Sequence, residues 1–453
     1  MQAQAAVDIA KPVDPVETTE DCRYCWMCRQ ACPVGHVTAR ETLTPHGWAL
    51  TIASVKRGAI GWNDETVDVL YACADCGLCR SHCITDRPLP DAIAATRAEL
   101  VKIGKAPAIV GVLNERLLRS GSVYAGSIEA SAATDSPVAR TSEARLDVKK
   151  NELSGGPAFS GPVSGAASSG GAGSGAAASG AAASGGAVSG AAVSGRAASS
   201  AVGAGSGVGL FVGDAGRYLG AREISAVTRL LAAIGVVPVL VGSGRSNGVV
   251  ASSLGLVDTA VSLGRGVLGE VAASGCRELL VLTPEDRFAF EGLYRDRLGL
   301  VWPADVAIRD VTSLLAEALA GGRLSFQGPG HGEASLAAPA YVYHDPCHTA
   351  RVERDDAAPR RLLAAALGPG LARNPFWRER RAHPCGAIGG LQFTQPAIAA
   401  KLADARLADA RAAGASWLIT DDPGCAHHLR SRPQQDITVL GFYELLADRL
   451  AGQ

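Results

Sequence analysis

The sequence predicts an α+β protein of several domains, and three features of its 453 residues support this prediction. Eight of the twelve cysteines lie in two short runs near the N-terminus, among segments of helical character. Glycine, serine and alanine dominate the chain from about residue 155 to residue 207. Beyond that stretch, short apolar segments alternate with helical patterns, which is typical of parallel α/β layers.

These features divide the chain into five parts. In chain order they are a flexible N-terminus, a helical cysteine-rich module, a linker and two α/β repeats, at residues 1–20, 21–110, 111–207, 208–330 and 338–453. The Gly/Ser/Ala-rich part of the linker cannot bury a core, so we expect a flexible tether. Its length leads us to expect that the module and the repeats can separate without unfolding.

Periodicity places the elements within these parts. In the module it predicts helices at Gly47–Lys56, Glu65–Tyr71 and Asp91–Ile103. In the first repeat it predicts strands at Gly209–Val212, Val236–Val241 and Glu278–Thr283, and a helix at Glu223–Ile234. In the second repeat it predicts strands at Ala340–Tyr343 and Trp417–Thr420, and helices at Pro359–Leu367, from Pro396 to Gly414, and at Phe442–Leu450.

Both N-terminal cysteine runs have the spacing that wraps a [4Fe–4S] cluster. The runs are Cys22-x2-Cys25-x2-Cys28-x3-Cys32-Pro33 and Cys73-x2-Cys76-x2-Cys79-x3-Cys83. In bacterial two-cluster ferredoxins three closely spaced thiolates hold one cluster, and the fourth cysteine ligates the other. This pattern assigns Cys22, Cys25, Cys28 and Cys83 to one cluster, and Cys73, Cys76, Cys79 and Cys32 to the second.

Other uses of these cysteines fit less well. A run of four at this spacing overfills a single tetrahedral zinc ion. Disulfides need an oxidising compartment, and the N-terminal residues contain no apolar export segment. The pattern therefore predicts two [4Fe–4S] clusters in a cytoplasmic protein.

Charge and hydropathy argue against binding to nucleic acid or an anionic membrane surface, and against a membrane-spanning helix. A formal net charge of −1 argues against nucleic acid or an anionic membrane surface as the main partner. No apolar run reaches the roughly 18 residues that a membrane-spanning helix needs. The best candidate, from Leu230 to Val241, is short and contains Gly235 and Pro238.

The second repeat contains three further cysteine motifs. They are His344-Asp345-Pro346-Cys347-His348, Pro384-Cys385-Gly386 and Asp422-Pro423-Gly424-Cys425. These motifs resemble the cysteine-rich CCG domain of the heterodisulfide reductase family, in which two ferredoxin-type clusters likewise precede two CCG-type repeats. Iron–sulfur subunits of glycolate oxidase, lactate-utilisation and anaerobic glycerol-3-phosphate dehydrogenase complexes share that domain. The resemblance implies a third iron–sulfur centre at Cys347, Cys385 and Cys425.

The resemblance also implies departures from the family pattern. In the second repeat, Pro384 and Asp422 stand where the family has two more cysteines. In the first repeat, the expected cysteines are replaced by Asp214, Ser246-Asn247-Gly248 and Thr283-Pro284-Glu285-Asp286. We therefore expect a degenerate CCG-type repeat without a cluster, in which Cys276 is a buried apolar side chain.

The nature of the third centre stays open at this point. Three thiolates leave one coordination position, for which Asp422, His348, His427, His428, water or a partner group are candidates. His344 and His348 flank Cys347 and are equally expected as ligands or as hydrogen-bond donors to a ligand. The arginines Arg378, Arg380 and Arg381 either stabilise a reduced cluster or form a solvated loop. The alternative is a relict fold with spare thiols.

The resemblance predicts an iron–sulfur electron-transfer subunit of an oxidoreductase complex, and leaves open whether the chain is itself an enzyme. The implied donor is a separate FAD-linked dehydrogenase of the 2-hydroxyacid or glycerol-phosphate type. The implied acceptor is quinone, reached at the inner face of the cell membrane, or another redox carrier. One alternative is a catalytic subunit that reduces a heterodisulfide or disulfide at the third centre. The other is a non-enzymatic iron–sulfur interaction or sensor protein.

Overall fold

The structure, a computed structural model, describes residues 14–125, 207–327, 338–433 and 436–451. The predicted tether, apart from Gly207, lies outside the described residues, as do residues 1–13 of the predicted flexible N-terminus. The described residues all belong to one packed unit.

The N-terminal module is helical, as predicted. Its helices are Pro15–Glu20, Pro33–Thr38, Pro45–Lys56, Asp64–Tyr71, Leu78–Ser81, Leu89–Lys102 and Ala108–Ser120, with 3₁₀ turns at Arg29–Ala31 and Glu41–Leu43. Polar side chains begin several of these helices: the Thr44 hydroxyl accepts the Gly47 N–H, and Asn63 and Thr66 form a capping box. The three predicted helices lie within two residues of their observed bounds.

Two stretches that the sequence assigns to mobile segments are packed instead. Thr18 and Thr19 of the helix Pro15–Glu20 are buried. The helix Ala108–Ser120 crosses the predicted linker boundary at residue 111 and buries Val110, Leu113 and Leu117 against the first repeat. These three positions follow helical spacing and form one apolar face, so the packed chain extends beyond the predicted boundary.

Each repeat is built on a four-stranded parallel sheet. The strands of the first are β1 Val208–Phe211, β2 Val239–Val241, β3 Glu278–Val281 and β4 Ala307–Asp310; those of the second are β5 Tyr341–Tyr343, β6 Ala372–Arg373, β7 Trp417–Thr420 and β8 Thr438–Gly441. The strand orders, β2-β1-β3-β4 and β6-β5-β7-β8, are the same. The predicted architecture of a helical module followed by two α/β regions is confirmed.

Helices cover the faces of both sheets. In the first repeat they are Gly213–Leu219, Ala221–Ala233, Val249–Ser253, Val257–Ser274, Pro284–Phe288, Tyr294–Asp296 and Val311–Ala320, with a π-helical turn at Ala289–Leu293. In the second they are Ala358–Leu367, Leu391–Thr394, Pro396–Ala412, Pro423–Arg430 and Phe442–Ala447, with 3₁₀ turns at Cys347–Arg351 and Glu379–Arg381. Strand β2 starts at Val239 and not at Val236 as predicted, since Pro238 has no N–H for the ladder.

The two repeats share a core between their sheets. The helix Ala221–Ala233 packs on Phe442–Ala447, and Val311–Ala320 packs on Ala358–Leu367. In each repeat, one of these helices comes after the first strand and the other comes after the last strand, and each packs on the helix of the opposite kind in the other repeat. The pairing is therefore reciprocal, and it buries a continuous aliphatic cluster.

The cysteine-rich module docks directly on both repeats. The fully buried Arg97 guanidinium donates to the carbonyl oxygens of Leu70, Cys73 and Ser253, the last at 2.7 Å in the first repeat. The Tyr71 hydroxyl, over whose ring this guanidinium lies, donates to the Leu254 carbonyl at 3.1 Å.

An ion-pair cluster joins all three parts of the chain. Asp75 of the module accepts hydrogen bonds from Ser253 and Arg297 of the first repeat and, at 2.7 Å, from Arg351 of the second. Although burial opposes it, the two guanidinium groups hold the pKa of Asp75 well below its usual range. The expectation that the module separates freely from the repeats is wrong, because separation would break these ion pairs and expose the apolar surfaces packed between the parts.

Candidate iron–sulfur and metal sites

The outer thiol group consists of Cys22, Cys25, Cys28 and Cys83. The Cys28 thiol lies within electrostatic range of the other three, and burial followed by Cys22 and Cys83 raises its pKa to about 11. Cys25 is exposed and the other three are partly buried. The structure thus brings the last cysteine of the second run to the first three of the first run, at the surface of the module.

The inner thiol group consists of Cys32, Cys73, Cys76 and Cys79, all of which are buried. Cys32 lies within electrostatic range of Cys76 and Cys73, and Cys79 is in range of the other three. Cys79 is also in range of Cys28, so the two groups adjoin. Burial raises the pKa of all four inner thiols. These raised pKa values favour the protonated thiols, whereas a bound metal cluster favours the thiolates, because thiolates are its ligands.

The two cysteine runs form the same backbone loop. Tyr24 and Trp26 follow Cys22 with φ of 49° and 65°, and Asp75 and Gly77 take the equivalent places after Cys73 with φ of 50° and 82°. Left-handed backbone is unfavourable for residues with a side chain, and it persists mainly where function requires it. In both loops the left-handed backbone directs a main-chain N–H at the sulfur of the first cysteine of the run. Tyr24 donates to Cys22 Sγ at 3.4 Å and Asp75 to Cys73 Sγ at 3.3 Å.

The fourth cysteine of each run also accepts a backbone N–H. Cys32 Sγ accepts from Gly35 at 3.4 Å, and Cys83 Sγ accepts from Arg87 at 3.4 Å. Although burial opposes it, hydrogen bonds from Thr85 and Arg87 lower the pKa of Cys83. Four sulfur donors per group, several with N–H groups directed at them, suit the four irons of a [4Fe–4S] cluster.

The C-terminal site consists of His344, Cys385 and Cys425 at the carboxyl edge of the second sheet. His344 follows β5, Cys385 lies in the connection from β6, and Cys425 lies in the first turn of the helix after β7. Cys385 Sγ and Cys425 Sγ are 2.9 Å apart, and these two atoms and an imidazole nitrogen of His344 all lie within 4.8 Å of one another. All three residues are buried.

The backbone around Cys385 requires glycine at the next position. Gly386 has φ of 104°, and a Cβ there would overlap the Ala399 carbonyl oxygen. The loop also directs the Ala387 N–H at Cys385 Sγ, at 3.5 Å. This arrangement repeats the N–H-to-sulfur contact of the N-terminal runs.

Cys347 lies outside the 4.8 Å set. Its thiol is in electrostatic range of Cys385 and also of Cys76 in the inner thiol group. Burial is the main cause of its raised pKa. The three cysteines that the sequence predicts for a third centre therefore lie in one buried region, with Cys385 and Cys425 closest together.

Other side chains considered for the last coordination position are engaged elsewhere. Asp422 Oδ1 accepts the Cys425 N–H at 2.8 Å and thereby caps its helix. His348 stacks on Phe288 at a centroid distance of 5.2 Å. His428 Nε2 lies 3.3 Å from the Ala399 carbonyl oxygen, and His427 is exposed.

Sequence reasoning weighed His344 equally with His348, gave no signal for Arg406 and left the role of three arginines open. His344 stands one residue beyond a strand end, which was the available signal for its place at the sheet edge. Arg406 is buried in the helix Pro396–Ala412 and lies within electrostatic range of Cys385. Arg378 and Arg380 bond to the carbonyl oxygens of Pro375 and Val352, and Arg381 is exposed.

The first repeat has oxygen and nitrogen groups at the corresponding edge. Asn247 Nδ2 donates to Asp286 Oδ1 at 2.9 Å, and Asp214 lies nearby. Burial raises the pKa of Asp286 to about 7 and that of Asp214 to about 6. Cys276 is buried in the core, as predicted.

Two family models match this chain. Residues 21–87 match a 4Fe-4S dicluster domain, and residues 341–430 match the CCG cysteine-rich domain. Each match covers a region where the structure brings thiols together. No helix among the described residues is long and apolar enough to cross a membrane.

Curated relatives match part of the chain. One subunit of the dihydromethanophenazine:CoB–CoM heterodisulfide reductase is 28% identical over 34% of this chain in Methanosarcina barkeri, and 33% identical over 24% in Methanosarcina mazei. One subunit of the fumarate reductase (CoM/CoB) of Methanothermobacter marburgensis is 31% identical over 23% of this chain. The chain spans 36%, 27% and 22% of the lengths of these proteins, respectively.

A solved structure of a hypothetical protein from Helicobacter pylori has a TM-score of 0.35 and 13% identity over 55% of this chain and 50% of that one. The sequence matches are more informative, and they support an iron–sulfur subunit related to heterodisulfide and fumarate reductases. Together these matches support a heterodisulfide reductase-like iron–sulfur protein, in which a 4Fe-4S dicluster domain precedes a CCG cysteine-rich domain.

Proposed function

We propose that this chain relays electrons within an oxidoreductase complex, with one [4Fe–4S] cluster at the outer thiol group and one at the inner. Such clusters supply one-electron transfers. The observation that carries the proposal is the arrangement of the two groups. They adjoin through Cys28 and Cys79, the outer group reaches the surface at Cys25, and the inner group is buried.

The surface beside the outer thiol group suits contact with a redox partner. Trp26 and Met27 directly follow Cys25 in the chain, and they are 54% and 49% exposed. Exposed aromatic and Met side chains are typical of protein interfaces. A partner that covers them would bring its own cofactor close to the outer group.

The chain's own residues set the environment of the inner thiol group. The module and both repeats exclude water from its four thiols, which favours neutral over charged forms. Arg351 is in electrostatic range of Cys73 and Cys76 and opposes that effect. Backbone N–H groups that point at sulfur also stabilise negative charge there. The second repeat thus contributes a cation to a site in the module.

Resemblance supplies the partners in this proposal. The donor is a separate FAD-linked dehydrogenase of the 2-hydroxyacid or glycerol-phosphate type. The acceptor is quinone, reached through a partner at the inner face of the cell membrane, or another redox carrier. Support comes from the curated relatives, each of which is named as a subunit.

Cavity size favours a relay over catalysis at the C-terminal site. The cavity beside it, which is lined by Ala387, Asp422 and Gly424, has a volume of about 40 Å³. That is room for about one water molecule, whereas small-molecule sites typically measure about 300–1,000 Å³. A larger groove of about 450 Å³ lies beside Gly77 and Arg351, next to the inner thiol group.

Stopped-flow reoxidation separates the two functions. The anaerobically purified chain is reduced with dithionite and mixed with a water-soluble quinone analogue or with a low-molecular-mass disulfide. The relay predicts that the quinone analogue reoxidises the unmodified chain. It also predicts the same reoxidation in the Cys385→Ala/Cys425→Ala variant and in the buried-cysteine control Cys276→Ala. Disulfide reduction that only the double variant loses would contradict the relay and favour catalysis.

A further inference from the structure

We propose that His344, Cys385 and Cys425 hold a single tetrahedral metal ion of the Zn²⁺ class, and not an iron–sulfur cluster. Their three donor atoms come from three segments that meet at the carboxyl edge of the second sheet. The proposal goes beyond the electron relay and does not depend on it. The separations of the donor atoms are its first support.

Ligands of one ion lie closer together than ligands of a cluster. Two sulfurs at about 2.3 Å from one tetrahedral ion are about 3.7 Å apart, whereas sulfurs on different irons of a cluster are roughly 6 Å apart. The three donor atoms here all lie within 4.8 Å of one another. Among the described residues no other set of three His, Cys, Asp or Glu donors is this tight, the eight N-terminal cysteines included. The Cys385 and Cys425 sulfurs, at 2.9 Å, are closer than the two sulfurs of one ion and would separate by about 0.8 Å to admit it. The C-terminal site is therefore nearer to the spacing of a one-ion site than to that of a cluster, and the N-terminal groups are not this tight.

The second support is the unsatisfied imidazole of His344. The side chain is buried, and its Nε2 has no hydrogen-bond partner. A histidine that serves packing alone normally finds a partner when it is buried, since an unpaired polar atom costs about 1–3 kcal/mol. Coordination of a metal ion gives this nitrogen a partner. The neighbouring His348 differs, because its Nδ1 faces Glu285 at 3.6 Å.

The third support is the charge of Arg406. This guanidinium is 2% exposed, it pairs only with the partly exposed Asp409 at 3.0 Å in the described structure, and its Nε lacks a hydrogen-bond partner. It lies within electrostatic range of Asp345, His344 and Cys385. A buried cation is stabilised by a nearby negative charge. Two thiolates only balance the charge of a divalent ion, but a third thiolate would give the site the net negative charge that neutral thiols lack.

The donor set selects the class of metal. Imidazole and thiolate together suit zinc, which prefers tetrahedral sites of nitrogen and sulfur. Three protein donors leave one position. Cys347 is a further buried thiol in electrostatic range of Cys385 and is our candidate for it. The ion would then tie the ends of β5 and β7 beside the inner thiol group.

Metal analysis of the anaerobically purified full chain tests the proposal. We expect one non-iron metal ion per chain in addition to about eight irons from the N-terminal groups. X-ray absorption at the edge of that metal should show sulfur and nitrogen neighbours together. His344→Ala should lose the ion and retain the irons, and His344→Cys should retain it with the nitrogen contribution replaced by sulfur. His348→Ala, the matched histidine control, should change neither.

Three outcomes overturn the proposal. Iron near twelve per chain that falls to about eight in the Cys385→Ala/Cys425→Ala variant indicates a third cluster. A Cys385–Cys425 disulfide without metal in the anaerobic protein indicates a redox pair. An unchanged metal content in His344→Ala removes the imidazole as a ligand. Because the N-terminal irons are counted in the same sample, a failure of the two-cluster assignment is distinguished from a failure at His344.

Discussion

The two α/β repeats have the same strand order and differ in chemistry at the same edge. In each, a proline-started helix follows the third strand, and a polar side chain caps it: Thr283 accepts the Asp286 N–H, and Asp422 accepts the Cys425 N–H. Asp286 thus stands at the place of Cys425. Both repeats therefore have the same helix cap, but the cap positions Asp286 in the first repeat and Cys425 in the second.

The side chains that contact Asp286 and Cys425 also differ between the repeats. Asn247 precedes Gly248, whose φ is 89°, as Cys385 precedes Gly386, whose φ is 104°. The Asn247 amide lies 2.9 Å from the Asp286 carboxyl, and the two sulfurs of the second repeat are also 2.9 Å apart. A hydrogen-bonded amide–carboxyl pair therefore occupies one sheet edge and a thiol pair occupies the other. The comparison teaches that one scaffold can present either pair at this edge, so we expect the fold of the second repeat to survive exchange of its pair.

The largest expected effect comes from converting the second repeat to the chemistry of the first. In the Cys385→Asn/Cys425→Asp variant we expect complete loss of the C-terminal metal ion with the fold retained, because an amide–carboxyl pair lacks thiolates for a borderline-soft ion. Metal content and far-UV circular dichroism of the purified chain measure both. Loss of the fold together with the metal would show that the two repeats are not interchangeable scaffolds.

The next effect concerns the docking of the module on the repeats. Arg97→Met removes a buried cation and leaves carbonyl oxygens of the module and of Ser253 without donors. We expect a loss of about 3–5 kcal/mol in the free energy of unfolding. Arg119→Met, on the exposed side of the helix Ala108–Ser120, should change it by less than about 0.5 kcal/mol. Denaturant unfolding measures both, and equal effects would contradict the docking described here.

A pH-dependent effect is expected at Asp286 of the first repeat. Burial raises the pKa of Asp286 from 3.8 to about 7, so the folded state holds a proton that the unfolded chain releases. The protonated Asp286 carboxyl contributes fully to the free energy of unfolding below about pH 4, and this contribution is lost as the pH rises toward 8. Three pKa units correspond to about 4 kcal/mol, and loss of the Thr283 hydrogen bond offsets about 1 kcal/mol.

Asp286→Asn should therefore stabilise the protein by about 3 kcal/mol at pH 8 and destabilise it by about 1 kcal/mol at pH 4, a difference of about 4 kcal/mol. Thermal unfolding at both pH values measures the difference. The exposed control Asp258→Asn, at the start of the helix Val257–Ser274, should show no such dependence. A stabilisation that is the same at both pH values would mean that Asp286 is already ionised in the folded state.

The smallest effect compares the two helix caps. Thr283→Ala removes the hydroxyl that accepts the Asp286 N–H at 3.2 Å. We expect a loss of about 1 kcal/mol in the free energy of unfolding, without any change in metal content. Asp422→Ala should cost a similar amount and also lower the retention of the C-terminal ion against a chelator, because it loosens the turn that carries Cys425. Equal chelator resistance of the two variants would mean that the cap does not support the site.

Local patterns predicted much of this molecule, and contacts distant in sequence account for the rest. Cysteine spacing grouped the N-terminal thiols because each loop is short, and periodicity located strands such as Trp417–Thr420 because they are buried. Arg97 gave no signal, since its partner Ser253 is 156 residues away. His344 was weighed equally with His348 because both flank Cys347, and only the packing of Phe288 and Glu285 on His348 separates them.

The central claim is that two neighbouring clusters in the N-terminal module relay electrons, and EPR of the fully reduced chain tests it most directly. Because Cys28 and Cys79 of the two thiol groups lie within electrostatic range of each other, the two reduced clusters should give one complex spectrum from coupled spins. Cys32→Ser should remove the inner cluster and leave a simple signal from the outer one, with iron falling from about eight to about four. A simple, uncoupled signal in the unmodified chain, or loss of the outer signal in Cys32→Ser, would contradict the account.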